Sequence, residues 1–330
     1  MQRRQFLNIG AAGAMLPLLG APSLAAAAVT SKLSKFVVGF APGGGTDTIA
    51  RMVADTIKSD YPGGLIVENK PGAASRLAVE TVKTAEADGS TLLVTPDFSL
   101  TVYPHSFKKL SYDPLKDLVP VSPVALAGLA LCAGPLVPAS VKNPADYLEW
   151  CKANPKMAVF GSPGAGSSFH FAGLMLAKAR GVELNHIGYK GGAPALQDVV
   201  GGQIPANICA IGEALQFVKA GRLRVLGTFG PERDRFAPDA PTMVESGFKD
   251  VVAQAWVGVL APTKTPADVV ARTAAALNKA TSGNALTERL AGYGMRPLTM
   301  TSAQFDAMLR SDLERWGPVV KASGFTADES

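Results

Sequence analysis

Short apolar runs alternate with stretches of helical periodicity along most of the chain. Two of the runs lead into glycine-rich turns, one at 39–47 and the other at 161–168. After each turn, apolar residues recur every three or four positions, which predicts helices over 48–58 and 169–180. The alternation of strands and helices predicts an α/β fold with largely parallel sheets.

The same patterns continue through the rest of the chain. They predict further strands at 64–67, 91–95, 119–131, 184–189, 204–208, 223–229 and 252–260. They predict further helices at 76–85, 144–153, 193–200, 266–282, 288–293 and 302–322. We predict a first lobe built from 29–128 and 252–330, and a second lobe built from 129–251. Two β-strand crossovers, within 119–131 and 252–260, would form a hinge between the lobes.

The first 28 residues have the features of a secretory signal peptide. Arg3 and Arg4 provide a positive start, 9–19 is a short apolar core, and 23–28 offers small-residue cleavage sites. The paired arginines favour twin-arginine export, and an ordinary Sec signal is the alternative. The apolar core is too short for a stable membrane span. We therefore expect a periplasmic, soluble mature protein.

Composition and charge narrow the function. The chain has 330 residues, 47% of them apolar, and a net charge of +5. Loss of Arg3 and Arg4 would leave 5 − 2 = +3 on the mature chain. No Lys/Arg cluster with interleaved aromatics is present, so nucleic acid is not expected as a partner. A mildly basic chain is compatible with an anionic ligand.

The cysteines provide no framework for a metal site. Cys132, Cys151 and Cys209 match no metal-binding spacing, and we expect three small buried residues, with one disulfide left open. We expect no metal and no cofactor.

The first glycine-rich turn predicts an anion site. Gly43, Gly44 and Gly45 remove side chains where a ligand could contact the main chain, and Thr46 or Asp47 is expected to cap the following helix. The open N–H groups of a helix N-terminus bind anions. A tight turn without a ligand is the alternative. A nucleotide site fits poorly, because neither the Walker A nor the dinucleotide-binding spacing is present.

The second turn offers hydroxyl groups beside main-chain donors. Ser162, Ser167 and Ser168 lie in it, and His170 follows one turn into the helix, where both a structural and a cleft-lining role stay open. The turn is not a serine-hydrolase elbow, because Phe160 stands where that motif requires glycine.

Other candidates lie at strand ends. Lys190 would bring a positive charge to the cleft, with Gly191 in the turn that follows it, although an exposed lysine before a turn is equally consistent. Thr95 ends a predicted strand, Asp97 follows it as a selectivity or turn-capping residue, and His186 is assigned to a packed strand. No base stands in a defined sequence relation to a nucleophile, and no metal spacing is present, so we predict no catalytic residues.

Several motifs together resemble the Bug family, the TctC-like periplasmic receptors of tripartite tricarboxylate transporters. They are 40–47 (FAPGGGTD), 67–73 (VENKPGA), 161–170 (GSPGAGSSFH), 189–196 (YKGGAPAL), 201–203 (GGQ), 245–247 (ESG) and 256–262 (WVGVLAP). The resemblance covers essentially the whole mature chain.

The resemblance implies a type II-like Venus-flytrap receptor without enzymatic activity. It implies a small organic acid as ligand, membrane permease subunits as partners and a monomeric state. Together with the turns, it nominates the following substrate-binding residues: Phe40, Ala41, Pro42, Gly43, Gly44, Gly45, Thr46, Asp47, Thr95, Ser162, Gly164, Ala165, Gly166, Ser167, Ser168, His170, Lys190 and Gly191.

The chain departs from the family pattern at two places. Ala74-Ser75-Arg76 stands where glycines and an asparagine are usual, and Pro205 and Cys209 stand where acidic residues are often found. These changes bear on the distal contacts of the ligand. The alternatives to an uptake receptor are an exported α/β enzyme acting on a small anion and a ligand sensor for a signalling partner.

Overall fold

A computed structural model describes residues 29–327. The predicted signal peptide, 1–28, lies outside the described residues. Within residues 29–327, none of the helices combines the length and the apolar character that a membrane span needs.

Strands and helices alternate through most of the chain, as the pattern predicts. The strands are β1 (Ser34–Val38), β2 (Leu65–Asn69), β3 (Thr91–Pro96), β4 (Leu118–Ala133), β5 (Val159–Ser162), β6 (Asn185–Gly188), β7 (Ala206–Ala210), β8 (Arg224–Thr228), β9 (Gln254–Pro262) and β10 (Met295–Pro297). The helices are α1 (Gly45–Ile57), α2 (Arg76–Lys83), α3 (Phe98–Thr101), α4 (Tyr103–Ser106), α5 (Pro144–Ala153), α6 (Ser168–Ala179), α7 (Gly192–Val200), α8 (Ile211–Lys219), α9 (Ala267–Thr281), α10 (Asn284–Ala291) and α11 (Ser302–Ser323).

The strands form a mixed sheet with the order β2-β1-β3-β9-β4-β7-β5-β6, and β8 and β10 also pair with β4. The outer pairs β1–β2, β1–β3, β5–β6 and β5–β7 are parallel. Every pair that includes β4 or β9 is antiparallel. The prediction of largely parallel sheets is therefore wrong for the centre, because β4 and β9 carry the chain through the sheet in opposite directions.

Strand β4 belongs to two parts of the sheet. It pairs with β9 as far as Gly128, opposite Gln254, and from Leu129 onward it pairs with β7 and β8. We call β1, β2, β3, β9, β10 and β4 up to Gly128 the first half-sheet. The second half-sheet contains β5–β8 and β4 from Leu129.

The prolines of β4 lie where its pairing is irregular. The register against β9 shifts between Pro120 and Ser122, and again between Pro123 and Ala125. Proline has no N–H to donate to a ladder, so such irregular positions accommodate it. The 16-residue strand thus continues through both prolines.

The core is continuous across both half-sheets. Phe36, Leu131, Phe160, Phe171 and Trp316 all belong to one buried cluster. The three cysteines are buried and unbonded, with 3.8 Å between the Sγ atoms of Cys132 and Cys209. The expectation of three small buried cysteines is confirmed.

Candidate functional site

The first glycine-rich turn presents main-chain amides at the start of α1. Residues 41–45 are exposed, and the N-cap is Gly44, which has an extended backbone and no side-chain cap. The amides of Gly45 and Thr46 belong to the first helical turn, whose N–H groups have no acceptor within the helix. This terminus can therefore receive an anion.

The predicted cap by Thr46 or Asp47 is wrong. Asp47 is buried inside the helix, and its carboxylate turns back to accept a hydrogen bond from the Gly43 amide at 2.8 Å. It also accepts from Arg51 Nε at 2.9 Å and from Asn69 Nδ2 at 2.7 Å. Asn69 Nδ2 in turn donates to the Phe40 carbonyl at 3.0 Å. Asp47 therefore fixes the conformation of the turn, and it occupies the Gly43 amide, which is then not available to a ligand.

The hydrogen bonds also keep Asp47 ionised. Burial alone raises the pKa of this carboxyl, but the donors Arg51, Gly43 and Asn69 outweigh it and hold the pKa below its ordinary value. Asp47 is thus ionised at neutral pH, which keeps all three donors engaged.

The second turn is arranged around buried side chains. The Ser167 hydroxyl caps α6 by accepting from the His170 amide at 3.3 Å, and it donates to the Gly164 carbonyl at 2.7 Å. Nδ1 of His170 accepts from the Gly166 amide at 3.2 Å. Gly166 has φ +75°, a conformation that favours glycine. Of the nominated residues here, Ala165 is exposed, whereas Ser162, Ser167, Ser168 and His170 are buried.

Ser162 and His186 form a contact that the sequence analysis missed. Ser162 Oγ lies 2.7 Å from His186 Nε2, because parallel pairing of β5 and β6 brings residues 24 positions apart together. The sequence shows no base in a defined relation to a nucleophile, and this contact arises only from the pairing of the two strands. His186 is half-buried and stacks on His170 at 3.7 Å between ring centroids.

Burial makes these histidines weak bases. Desolvation lowers the pKa of His170 to about 4. Desolvation and then the neighbouring His170 lower the pKa of His186 to about 3. Both rings are neutral at pH 7. His186 also has no hydrogen bond from residues 29–327 to Nδ1, so the pair lacks the third group that orients a catalytic histidine.

The two turns converge on the segment after β3. The Phe40 ring, beside the first turn, contacts Phe98 edge-on with 6.2 Å between centroids. The preceding residue, Asp97, lies beside Ser168 at the start of α6. A Cβ atom placed on Gly166 would lie 3.9 Å from Ser106 Oγ and 3.2 Å from the Phe325 ring. Both turns therefore lie beside the same segment, 97–106, where the two half-sheets meet.

Asp97, at the start of this segment, is a buried carboxyl without a charged partner in contact within the described part of the chain. It is 1% exposed, and neither its Oδ1 nor the Ser168 hydroxyl has a well-oriented hydrogen bond among residues 29–327. Burial, followed by the nearby Asp312 carboxylate, raises the pKa of Asp97 to about 8; Ser168, the Phe98 amide and Arg315 act in the opposite direction. The carboxyl is thus mostly protonated at neutral pH.

The raised pKa makes stability depend on pH. Between about pH 4 and pH 8 the folded protein holds a proton on Asp97 that the unfolded chain lacks, so stability falls as the pH rises through this range. From pH 7 to pH 9 we expect a fall of about 1 kcal/mol from this group. Chemical denaturation should show a smaller fall for Asp97→Asn.

Glu213 provides the matched control. Burial raises its pKa to about 7, so it loses most of its proton at a lower pH than Asp97 does. Glu213→Gln should keep most of the fall between pH 7 and pH 9. Equal slopes for Asp97→Asn and the wild-type protein would contradict the assignment.

The remaining nominated residues differ in their exposure. Thr95 is fully buried within β3, so its hydroxyl is not accessible to a ligand. Lys190 and Gly191 are exposed, and Gly191 has φ +106° and donates its amide to the Pro163 carbonyl at 2.8 Å. The loop after β6 therefore supports the second turn directly. No group of three or more potential metal ligands occurs in the part of the chain that the structure describes.

Comparisons with known proteins agree with this architecture. The sequence model described as "Tripartite tricarboxylate transporter family receptor" (TctC) matches residues 49–325. Protein BugT of Bordetella pertussis is 31% identical over 88% of this chain and 89% of its own length. A solved structure described as a periplasmic transporter is 33% identical, with a TM-score of 0.81 over 90% of this chain and 99% of its own.

A solved structure also shows what one such protein binds. MatC from Rhodopseudomonas palustris, solved with bound malate, is 28% identical and has a TM-score of 0.77. It covers 88% of this chain and 99% of its own length. The predicted two-lobed α/β fold of periplasmic binding proteins is confirmed by these likenesses.

Proposed function

The chain belongs to the tripartite tricarboxylate transporter receptor family, and from this we propose that it captures a small carboxylate-containing metabolite between two lobes. The lobes are 29–128 with 252–330, and 129–251. The loaded protein delivers the metabolite to the membrane permease subunits of such a transporter. We further propose that it acts as a monomeric periplasmic receptor without catalysis or cofactor.

The observation that carries the proposal is the exposed first turn of α1, beside a segment that the second turn also contacts. The Gly45 and Thr46 amides have no acceptor within the helix, and Gly44 has no side-chain cap. A carboxylate seated there would accept two hydrogen bonds in the field of a helix N-terminus. The bound malate of the related MatC is an acid of this class.

Before ordering costs, hydrogen bonds alone reach the energy of micromolar binding, with no arginine clamp on the proximal carboxylate. A hydrogen bond to a charged group contributes about 1.5–3 kcal/mol. Micromolar binding corresponds to about 8 kcal/mol. Two bonds from the first turn and two from the second lobe would span that value, before the cost of ordering is subtracted.

A panel of organic acids tests the proposal. Purified protein should gain thermal stability with one or more mono- or dicarboxylates and not with neutral amides of the same shape, because only the ionised group uses the α1 terminus. Native mass spectrometry of protein taken from its own compartment should show one small acid per chain. No stabilisation by any acid, together with an empty mass spectrum, would contradict the proposal.

The Ser162–His186 contact is the observation that favours the enzyme alternative. Hydrolysis of activated esters separates the two functions. We expect the wild-type protein and Ser162→Ala to give the same background rate, because His186 is too weak a base and lacks an orienting carboxylate. Loss of a measurable rate in Ser162→Ala would favour the enzyme.

A further inference from the structure

The turn between β2 and α2 is strained at consecutive residues. Ala73, Ala74 and Ser75 have φ values of +45°, +54° and +76°, and none of them is glycine. L-residues avoid this left-handed region, and a run of three is held only by its surroundings. Residues in such conformations concentrate at ligand sites.

This strained turn is packed against the first glycine-rich turn. A Cβ atom placed on Gly39 would lie 2.6 Å from the Cβ of Ser75, so the two main chains approach closely. Ser75 is buried, and its hydroxyl lies 3.3 Å from that of Ser99, in the segment that follows β3. The strained turn, the first glycine-rich turn and the segment after β3 thus form one packed surface, which we call the wall of the first anion site.

The strained turn ends at a cation in an unfavourable place. Arg76 is the first residue of α2, where a positive charge opposes the helix dipole. Its guanidinium lies over the Phe107 ring, 4.2 Å from the centroid, and Nε donates to the Ala73 carbonyl at 2.9 Å. Among residues 29–327, Arg76 has no salt bridge, and its two terminal nitrogens form no hydrogen bond. These nitrogens can receive an anion.

A row of aromatic rings connects the two ends of this wall. The rings are those of Phe40, Phe98, Tyr103 and Phe107, with successive centroids 6.2, 5.6 and 4.9 Å apart. Phe40, Phe98 and Phe107 are half-buried, and Tyr103 is buried beneath them. The row begins at the first glycine-rich turn and ends under the guanidinium of Arg76.

The second half-sheet reaches the same end of the row. Gly166 approaches Ser106, the residue before Phe107, to 3.9 Å from a Cβ placed on the glycine. A ligand lying along the aromatic row would thus be covered at its far end by the second turn.

We infer that Arg76 is a specificity-determining residue that recognises a second anionic group of the ligand. The preferred ligand is then an acid with two anionic groups joined by an apolar body, which lies against the half-buried rings of Phe40, Phe98 and Phe107. This inference rests on the proposed function, because the first anionic group occupies the α1 terminus.

Matched acid pairs test the inference by calorimetry. The pairs are adipate with hexanoate, and benzene-1,4-dicarboxylate with benzoate; each pair differs by one carboxylate. We expect the wild-type protein to bind the di-acid of at least one pair about 10- to 100-fold more tightly than its mono-acid. Arg76→Gln, and independently Arg76→Ala, should remove that preference and leave mono-acid binding unchanged.

Lys70→Ala is the matched control. Lys70 is a cation of the same connection, but it is paired with Glu68 at 2.9 Å, so its loss should leave the preference intact. The inference would be overturned if the wild-type protein bound both acids of each pair equally, or if both Arg76 variants kept the preference. Either outcome would leave the proposed function standing. Binding of neither acid in either pair would overturn the inference, and would count against the proposed function only if the wider acid panel also failed.

Discussion

Gly44→Asp should abolish stabilisation of the protein by its acid ligand while the free protein stays folded. Gly44 is the N-cap of α1 with φ −70° and ψ 165°, a conformation that any residue can adopt. Aspartate is a better N-cap than glycine, and its carboxylate would accept from the second or third amide of the helix. The introduced carboxylate would therefore compete with the ligand for the Thr46 amide, and its charge would repel the ligand from the Gly45 amide.

The expected effect on binding is large. A hydrogen bond to a charged group contributes about 1.5–3 kcal/mol. Loss of two such bonds therefore corresponds to an affinity decrease of about 100-fold or more. Thermal shift with the acid that best stabilises the wild-type protein measures it. The melting temperature of the free variant should equal or exceed that of the wild-type protein, which separates lost binding from lost folding.

Gly44→Ala is the control for this substitution. Its Cβ would lie 3.3 Å from the Ala41 carbonyl oxygen and carries no charge, so the ligand-induced shift should persist. If Gly44→Asp showed the same ligand-induced shift as the wild-type protein, the α1 terminus would not be part of the binding site.

Asp47→Ala should destabilise the protein by about 2–4 kcal/mol and weaken ligand binding with it. The carboxylate is 2% exposed and accepts from Gly43, Arg51 and Asn69. Its removal leaves the Gly43 amide without its acceptor and breaks the bonds that Arg51 and Asn69 donate to Asp47. Asn69 then holds the first turn only through its bond to the Phe40 carbonyl. Urea denaturation measures the loss.

The pH dependence of this effect has a definite sign. The pKa of Asp47 is lower in the folded protein than in the unfolded chain, so its contribution is present above the unfolded value and is lost as the pH falls through the folded value. The difference in stability between Asp47→Ala and the wild-type protein should therefore shrink at acid pH.

Asp55→Ala controls for the loss of an acid from the same helix. Asp55 is 56% exposed and pairs with Lys58 and Arg289 at the surface. Exposed ion pairs contribute about 0–1 kcal/mol, so this variant should remain close to wild type. Equal losses for Asp47→Ala and Asp55→Ala would contradict the role assigned to Asp47.

The sequence predicts the elements well where local signals agree. The glycine-rich turns lead into α1 and α6 as expected, because glycines, small polar residues and helical periodicity coincide there. The pattern missed α3, α4, α8 and β10, and α3 and α4 are only four residues long each. In α8, the apolar run of β7 continues into Ile211 without a break, and β10 is only three residues long.

The parts of the site that depend on distant pairing could not be predicted. The acceptor role of Asp47 requires Asn69, which parallel pairing of β1 with β2 places nearby, and the partner of Ser162 is fixed by the β5–β6 register. The left-handed run at Ala73–Ser75 contradicts local preference, so no rule based on residue type predicts it. The only sign of this run in the sequence was that Ala74-Ser75-Arg76 departs from the family pattern.

A crystal structure of the protein with its bound acid tests the central claim most directly. We predict one carboxylate within hydrogen-bond distance of the Gly45 or Thr46 amide, with the residues of the second turn covering the other side of the same molecule. An acid seated elsewhere, or held by one lobe alone with the α1 amides facing water, would contradict the account.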